Sequence, residues 1–315
     1  MPPEPPGEDW LSMHLFFRGA VFGAEGDRVV RGCVEPFVRE ARRRGWSNCA
    51  FFIRYGELGP HVRLRLHGEP GVLHATVAPA LEAHAATALD ARLRGAPHGP
   101  LPAGARAGAL PCLAWIPYAR EVDRYGGPEG VALAERLFAH STETAFALLA
   151  RLDGADRQAR VGLALPTMLA LLGAMTRDPA LARQVAELHR NTFAGVPGVS
   201  VAEDWHTPYE RSFGRQGEAV TGLVRAFWRA SGDGGAALPA PLDAYHAAVA
   251  GVGGELRALL EAGRLATGGT RLESWDEVVR ALVSSYLHMT NNRLGLTTVE
   301  EGFVAHLILR GLEGA

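Results

Sequence analysis

Residues 51–66 read FFIRYGELGPHVRLRL, an apolar run, a turn, and a second run in which charged and apolar residues alternate. Side chains of an extended chain point to opposite sides at successive positions, so this period of two marks a strand with two unlike faces. His61, Arg63 and Arg65 fall on one face, and Val62, Leu64 and Leu66 on the other. Gly56, Gly59 and Pro60 fit a hairpin loop slightly longer than the two-residue kind. Two guanidinium groups side by side repel unless something anionic lies between them. The chain must therefore fold around a sheet hairpin with a cationic face.

The surrounding pattern completes a small sheet unit. Residues 12–18 (SMHLFFR) are strand-like, and 29–44 carry helical spacing through Val30, Val34, Phe37, Val38 and Ala41. A second helix is predicted near 73–94 and a short apolar strand near 112–116, separated by a Gly/Pro-rich loop at 95–108. The order βαββαβ is that of a ferredoxin-like unit, in which two helices cover one sheet face and leave the other free. A free face bearing Arg63 and Arg65 would be a site floor. After Gly126-Gly127-Pro128 helical periodicity takes over, with helices predicted near 129–152, 157–176, 180–193, 208–230, 241–264, 275–292 and 298–312. Residues 232–241 (GDGGAALPAP) read as a flexible connection, and no internal repeat is present. The expected fold class is α+β: a disordered lead at 1–9, an N-terminal ferredoxin-like βαββαβ sheet unit at 10–127, and a helical C-terminal half at 128–315 merged with it into one domain.

Composition removes several classes of function. The net charge of −2 gives no global support for nucleic-acid or membrane attraction, so any anion binding is local. All 32 basic residues are Arg, which rules out a Schiff-base lysine. Three cysteines, Cys33, Cys49 and Cys112, without a CxxC pair argue against a disulfide framework and a thiolate zinc site. The start MPPEPPGEDW lacks the basic and apolar regions of an export signal, so a cytoplasmic protein with reduced thiols is expected. The longest apolar segment, 161–175, contains Pro166, is too short for a bilayer and reads as a buried helix.

Three stretches can carry chemistry. The Arg63/Arg65 face is either a solvated face paired with carboxylates or an anion site. YAREVDRYGGPEG at 118–130 sets Arg120 and Arg124 beside Glu121 and Asp123, and by itself reads as a salt-bridged strand-to-helix junction. In SSYLHMTNNRLGL at 284–296, Ser284, His288 and Asn292 recur every four residues beside an apolar stripe of Val278, Leu282 and Met289. His288 there is either a proton carrier or a satisfied core histidine, with Asn292 and Arg293 closing the helix before Gly295. The cluster Asp204, Trp205, His206, Pro208, Tyr209 and Glu210 has no metal-binding spacing, and GVGGE at 251–255 lies in a helical pattern and follows no strand. No GxSxG or Walker motif is present.

Taken together, FFIRYGELGPHVRLRL, YAREVDRYGGPEG and HMTNNRLGL resemble the C-terminal elimination domain of class I lanthipeptide dehydratases, also found as a stand-alone protein in thiopeptide pathways. The likeness runs from about residue 10 to 312. In that family a partner uses glutamyl-tRNA to esterify Ser or Thr of a precursor peptide. The elimination domain then removes glutamate to leave dehydroalanine or dehydrobutyrine. The resemblance places the HxRLR arginines on Arg63 and Arg65, those of RExxRYGG on Arg120 and Arg124, and the histidine of HMxxNRL on His288. It implies catalytic roles for His288, Arg63 and Arg65, with Arg120, Arg124, His61, Tyr55, Ser284, Asn292 and Arg293 as substrate ligands. It implies no metal and no organic cofactor.

The implied partners are a precursor peptide, leader and core, and a split glutamyl-tRNA-dependent dehydratase that keeps the tRNA to itself. No membrane or direct nucleic-acid contact is expected, and a homodimer is left open. A lead of about ten residues before the first strand leaves little room for an added leader-recognition domain, so dependence on a partner is expected. Two other readings stand beside elimination. A sibling pyridine synthase on this scaffold joins two dehydroalanines in a formal [4+2] cycloaddition, expels the leader, and needs no glutamate site. A non-catalytic precursor-binding module would bind peptide without turnover.

Overall fold

In the computed structural model the alternating hairpin forms as β2 (Cys49–Tyr55) and β3 (His61–His67), antiparallel, with Phe52 opposite Leu64 and Ile53 opposite Arg63. The described residues are 9–152, 156–194, 206–214, 217–232 and 238–313. The five-residue loop turns through Leu58 and Gly59 at φ 61° and 100°. The other edge of β3 pairs with β1 (Trp10–Phe16), placing Ser12 opposite Arg65 and His14 opposite Arg63. Beyond β1 lie β5 (Leu113–Trp115) and the two-residue β4 (Arg106–Ala107), giving the order β2-β3-β1-β5-β4. That is the antiparallel order of a split βαβ unit with one short strand added at the edge.

Two helical segments are tied to the apolar face. The first runs through α1 (Ala24–Val29), a π-turn (Val30–Val34) and α2 (Glu35–Arg43). The second runs through α3 (Pro70–Val72), a π-turn (Leu73–Val77) and α4 (Ala78–Ala88). Each π-turn ends two residues before a proline, Pro36 or Pro79. A proline lacks the amide donor and its ring crowds the carbonyl four residues back, and a wider turn at that carbonyl relieves both defects. Buried Leu11, Met13, Leu15, Val62, Leu64 and Leu66 form this face. Trp115 Nε1 donates to Glu82 at 2.6 Å, which fastens β5 to α4, and fully buried Arg54 of β2 pairs with Asp27 of α1 at 2.7 Å.

The opposite face is not free. Ser12, His14, Phe16, Phe51 and His61 on it are all buried, while Arg63 and Arg65 are half-buried. One aromatic ring from outside the strands accounts for part of this cover. The chain leaving β5 brings the Tyr118 ring to 3.9 Å from the Arg65 guanidinium, and Trp10 meets Tyr118 edge-on at 5.2 Å.

The helical half consists of α5 (Pro128–Leu149), α6 (Arg157–Met175), α7 (Pro179–Ala194), α8 (His206–Gly214), α9 (Gly217–Gly232), α10 (Leu242–Glu261), α11 (Trp275–Leu294) and α12 (Thr298–Gly311). The helix expected at 208–230 is described as α8 and α9, and residues 215–216 between them lie outside the described residues. The unexpected hairpin β6 (Ala266–Thr267) and β7 (Thr270–Arg271) turns on Gly268-Gly269, both at positive φ, the chemistry of a tight two-residue turn. Helix α6 matches the helix expected at 157–176 to within a residue. At 19 residues and mean hydropathy 1.3 it passes the length and composition test for a membrane span, but 61% of that window is buried, as in a core helix. Met289, expected in the apolar stripe of α11, is only half-buried. Of the expected features, residues 1–8 of the lead, Asp204, Trp205 and 233–237 lie outside the described residues.

The fold is therefore mixed: a five-stranded antiparallel sheet at the N-terminus followed by a helical half. The chain divides into two compact units, residues 1–120 with 145–155, and 121–144 with 156–315.

Candidate active site

Strand register builds the first cluster. Arg63 and Arg65 point to one face of β3, and β1 sets His14 and Ser12 directly opposite them. Arginine carries only donors, so His61 Nε2 must accept the hydrogen bond from Arg63 Nε at 3.1 Å. Its Nδ1 then carries the proton and donates to the Gly59 carbonyl at 2.9 Å. The Tyr55 ring covers the Arg63 guanidinium at 3.5 Å, and the exposed Glu57 carboxylate lies 3.9 Å from it. His14 stacks on His61 with centroids 4.9 Å apart.

Both imidazoles are held neutral. Burial pushes His14 down to about 2, with His61, Arg63 and Arg65 adding to the effect. Burial also pushes His61 down to about 4, helped by Arg63 and opposed by the Gly59 carbonyl. Beside the two guanidinium charges, neither His14 nor His61 adds a positive charge. The face suits a carboxylate or another planar anion, which an Arg fork matches in geometry.

The second cluster lies in the helical unit. Residues Asp123–Tyr125 form one tight turn, which Gly126 and Gly127 end at φ 90° and 97°. A Cβ on Gly130 would stand 2.1 Å from the Tyr125 carbonyl, so the RYGGPEG segment closes only with glycine there. Tyr125 lies parallel to Tyr286 of α11 at 5.9 Å, and Arg124 Nε donates to Ser285 Oγ at 3.1 Å. Ser285 sits one turn before His288 on the same helix face, which brings Arg124 and His288 to one side of α11.

His288 Nδ1 is 3.1 Å from each carboxylate oxygen of Glu301, on α12. Glu301 is also 3.3 Å from His189 Nε2 of α7. The Nδ1 atom of His189 lies 3.2 Å from Ser284 Oγ. Glu301 and His189 are sealed, while 24% of the His288 side chain is exposed. This arrangement can hold an imidazole in one tautomer and support the charge it gains on taking a proton.

The remaining expected site residues are distributed as follows. Ser284 is buried and turned to His189. Asn292 is buried, and Arg293 is fully buried with its guanidinium 4.8 Å from the Phe138 ring and NH1 on the Met289 carbonyl. Arg120 is exposed in the segment after β5. Sequence reasoning missed Glu301, His189, His14 and Tyr118. Glu301 shares a buried stripe with Val304, Ala305 and Ile308, and His189 shares one with Val185 and Ala186, so an ionisable group on an apolar face was the available signal. Among the described residues, no group of three or more His, Cys, Asp or Glu forms a metal site.

Residues 10–312 match the family described as lantibiotic biosynthesis dehydratase C-term. The fold is shared with a pyridine synthase, TbtD, from thiomuracin biosynthesis, at 20% identity over 98% of each chain and TM-score 0.72. It is shared with the tRNA-dependent lantibiotic dehydratase MibB from Microbispora sp. 107891, at 22% identity over 100% of this chain and 29% of that one, TM-score 0.66. A third structure, TsrL, is 16% identical over 97% of this chain and 94% of its own, TM-score 0.68. No curated protein matches the chain.

Proposed function

The chain belongs to the lantibiotic dehydratase C-terminal family, and from that premise we propose that it eliminates glutamate from O-glutamylated Ser or Thr of a ribosomal precursor peptide. The products would be dehydroalanine or dehydrobutyrine, in thiopeptide or lanthipeptide biosynthesis. The observation that carries this reading is the sheet face itself: Arg63 and Arg65 side by side, next to imidazoles that burial keeps uncharged.

Elimination breaks the Cα–H bond of the esterified residue. The electron pair forms the Cα=Cβ double bond and the Cβ–O bond breaks, so glutamate departs with its esterified carboxyl as a carboxylate. The α-proton is weakly acidic because the developing charge rests on an amide oxygen, so preorganised cations contribute most at the transition state. In this reading His288 takes the α-proton, a role that contributes about 10²–10⁴-fold. Arg63 and Arg65 ligate the glutamyl carboxylate or the developing enolate, and Arg120 and Arg124 act as further anion ligands. The reaction needs neither metal nor organic cofactor. The partners would be the precursor peptide and a split dehydratase that performs glutamylation.

The likeness to TbtD over 98% of both chains supports a second reading, the pyridine synthase. Offering the protein two substrates side by side separates the readings. An O-glutamylated precursor peptide should lose glutamate, and a peptide carrying two dehydroalanines should be unchanged. The opposite pattern would replace elimination with cycloaddition, and binding of both without turnover would leave a peptide-binding module.

A further inference from the structure

We propose that Ser12 and His14 of β1 are ligands of the glutamyl carboxylate, completing the site that Arg63 and Arg65 begin on β3. The inference rests on the elimination reading for the owner of the carboxylate, whereas recognition of a carboxylate at this place stands without it. The register of β1 on β3 sets Ser12 opposite Arg65 and His14 opposite Arg63. Opposed residues of an antiparallel pair share a face, so the four side chains mark a patch roughly 5 Å across the strands and 7 Å along them. β1 gives Leu11, Met13 and Leu15 to the apolar core and these two polar residues to the cationic face.

Both are more than nine-tenths buried, Ser12 at 6% exposure and His14 at 5%. Ser12 Oγ has no hydrogen-bond partner among the described residues. A buried hydroxyl is seldom left so, and Ser12 therefore points to a group that the chain itself does not supply. The contacts of His14 are with rings, His61 stacked at 4.9 Å and Phe16 at 6.4 Å, which hold the imidazole plane and leave its nitrogens to a ligand. On the other side β5 sets only the methyl group of Ala114 beside it. Charge decides which ligand. His14, kept neutral by burial, offers one N–H without adding a charge, and the Ser12 hydroxyl can donate as well. All four side chains can thus donate, and an ionised carboxylate, which only accepts and does so at about four lone-pair positions, matches them. An ammonium ion would meet two like charges there.

Glutarate, a dicarboxylate without an amine, is the probe, and its neutral diamide, glutaramide, is the control. In NMR of the full chain with labelled histidine, glutarate should shift the His14 ring signals, identified as those lost in His14→Phe, and glutaramide should leave them in place. By calorimetry, Ser12→Ala and His14→Phe, the second of which keeps the ring stack, should each weaken glutarate binding at least about 10-fold, as loss of a hydrogen bond to a charged group does. Unmoved His14 signals, equal shifts with glutaramide, or wild-type affinity in either variant would overturn the proposal, and the wild-type titration decides even where a variant does not fold. In glutamate release the same variants should raise KM by a similar factor, and an unchanged KM in both would count equally against it. A wild type that binds glutarate through these residues and releases no glutamate would instead refute the elimination reading and leave the carboxylate site standing.

Discussion

Lowering the pH from 7.5 to 5 should leave His14 and His61 uncharged while an ordinary imidazole, with a pKa of about 6.5, becomes almost fully protonated. The two residues are pushed down to about 2 and about 4, first by burial and then by their cationic neighbours. Their folded-state values lie below the unfolded one, so the unfolded chain binds more protons throughout this interval. Stability is therefore complete above about pH 6.5 and is lost as the pH falls toward the folded values. Between pH 7.5 and 5 the unfolded state gains on the order of 2 kcal/mol per residue, or roughly 4 kcal/mol for the pair. NMR titration of the two rings should find both neutral at pH 5. Urea unfolding of a His14→Gln/His61→Gln variant should show a pH-dependent loss smaller than the wild type's by up to that amount. Rings that titrate near 6.5, or a variant whose loss between the two pH values matches the wild type's, would refute the reasoning that this face holds neutral imidazoles beside its arginines.

Arg63→Lys keeps the charge but loses the Nε donor to His61 and the planar stack on Tyr55. A hydrogen bond of about 1 kcal/mol and a cation–π contact of about 0.5–1 kcal/mol predict a roughly 10–30-fold fall in kcat/KM for glutamate release; wild-type activity would show that the fork is not used. Arg54→Met leaves Asp27 without its buried partner and should cost about 3–5 kcal/mol in urea unfolding, most of it recovered when Asp27→Leu is added. Gly126→Ala forces an L side chain to φ 90° and should destabilise the helical unit by about 1–3 kcal/mol, measured as a lower unfolding midpoint.

The elements that could be read from the sequence were those with a period. The alternation in HVRLRL gave the faces of β3, and apolar spacing placed the helices of the second half within a few residues, because burial on one side is what writes such patterns. What could not be read came from residues whose direction no period encodes. Tyr118 leaves β5 in irregular chain and folds over Arg65, so the cationic face looked open when it is largely covered. Helices are expected straight through Pro36 and Pro79, and the π-turns that absorb these prolines leave no mark in the apolar spacing. Glu301 lies beside Glu300 in the first turn of α12, and only the packing of that helix shows it facing His288. His14 sits in an apolar strand, and its position opposite Arg63 follows from the register of β1 on β3.

The central claim is that this fold removes glutamate from an esterified side chain with His288 as the base. A precursor peptide carrying one O-glutamyl serine, mixed in single turnover with the wild type and with His288→Ala, tests it most directly when intact ester and dehydroalanine are followed by mass. The account predicts one glutamate released and one dehydroalanine formed per ester in the wild type, with the rate at least about 100-fold lower in His288→Ala. An ester that survives the wild type, or an undiminished rate in His288→Ala, would contradict it.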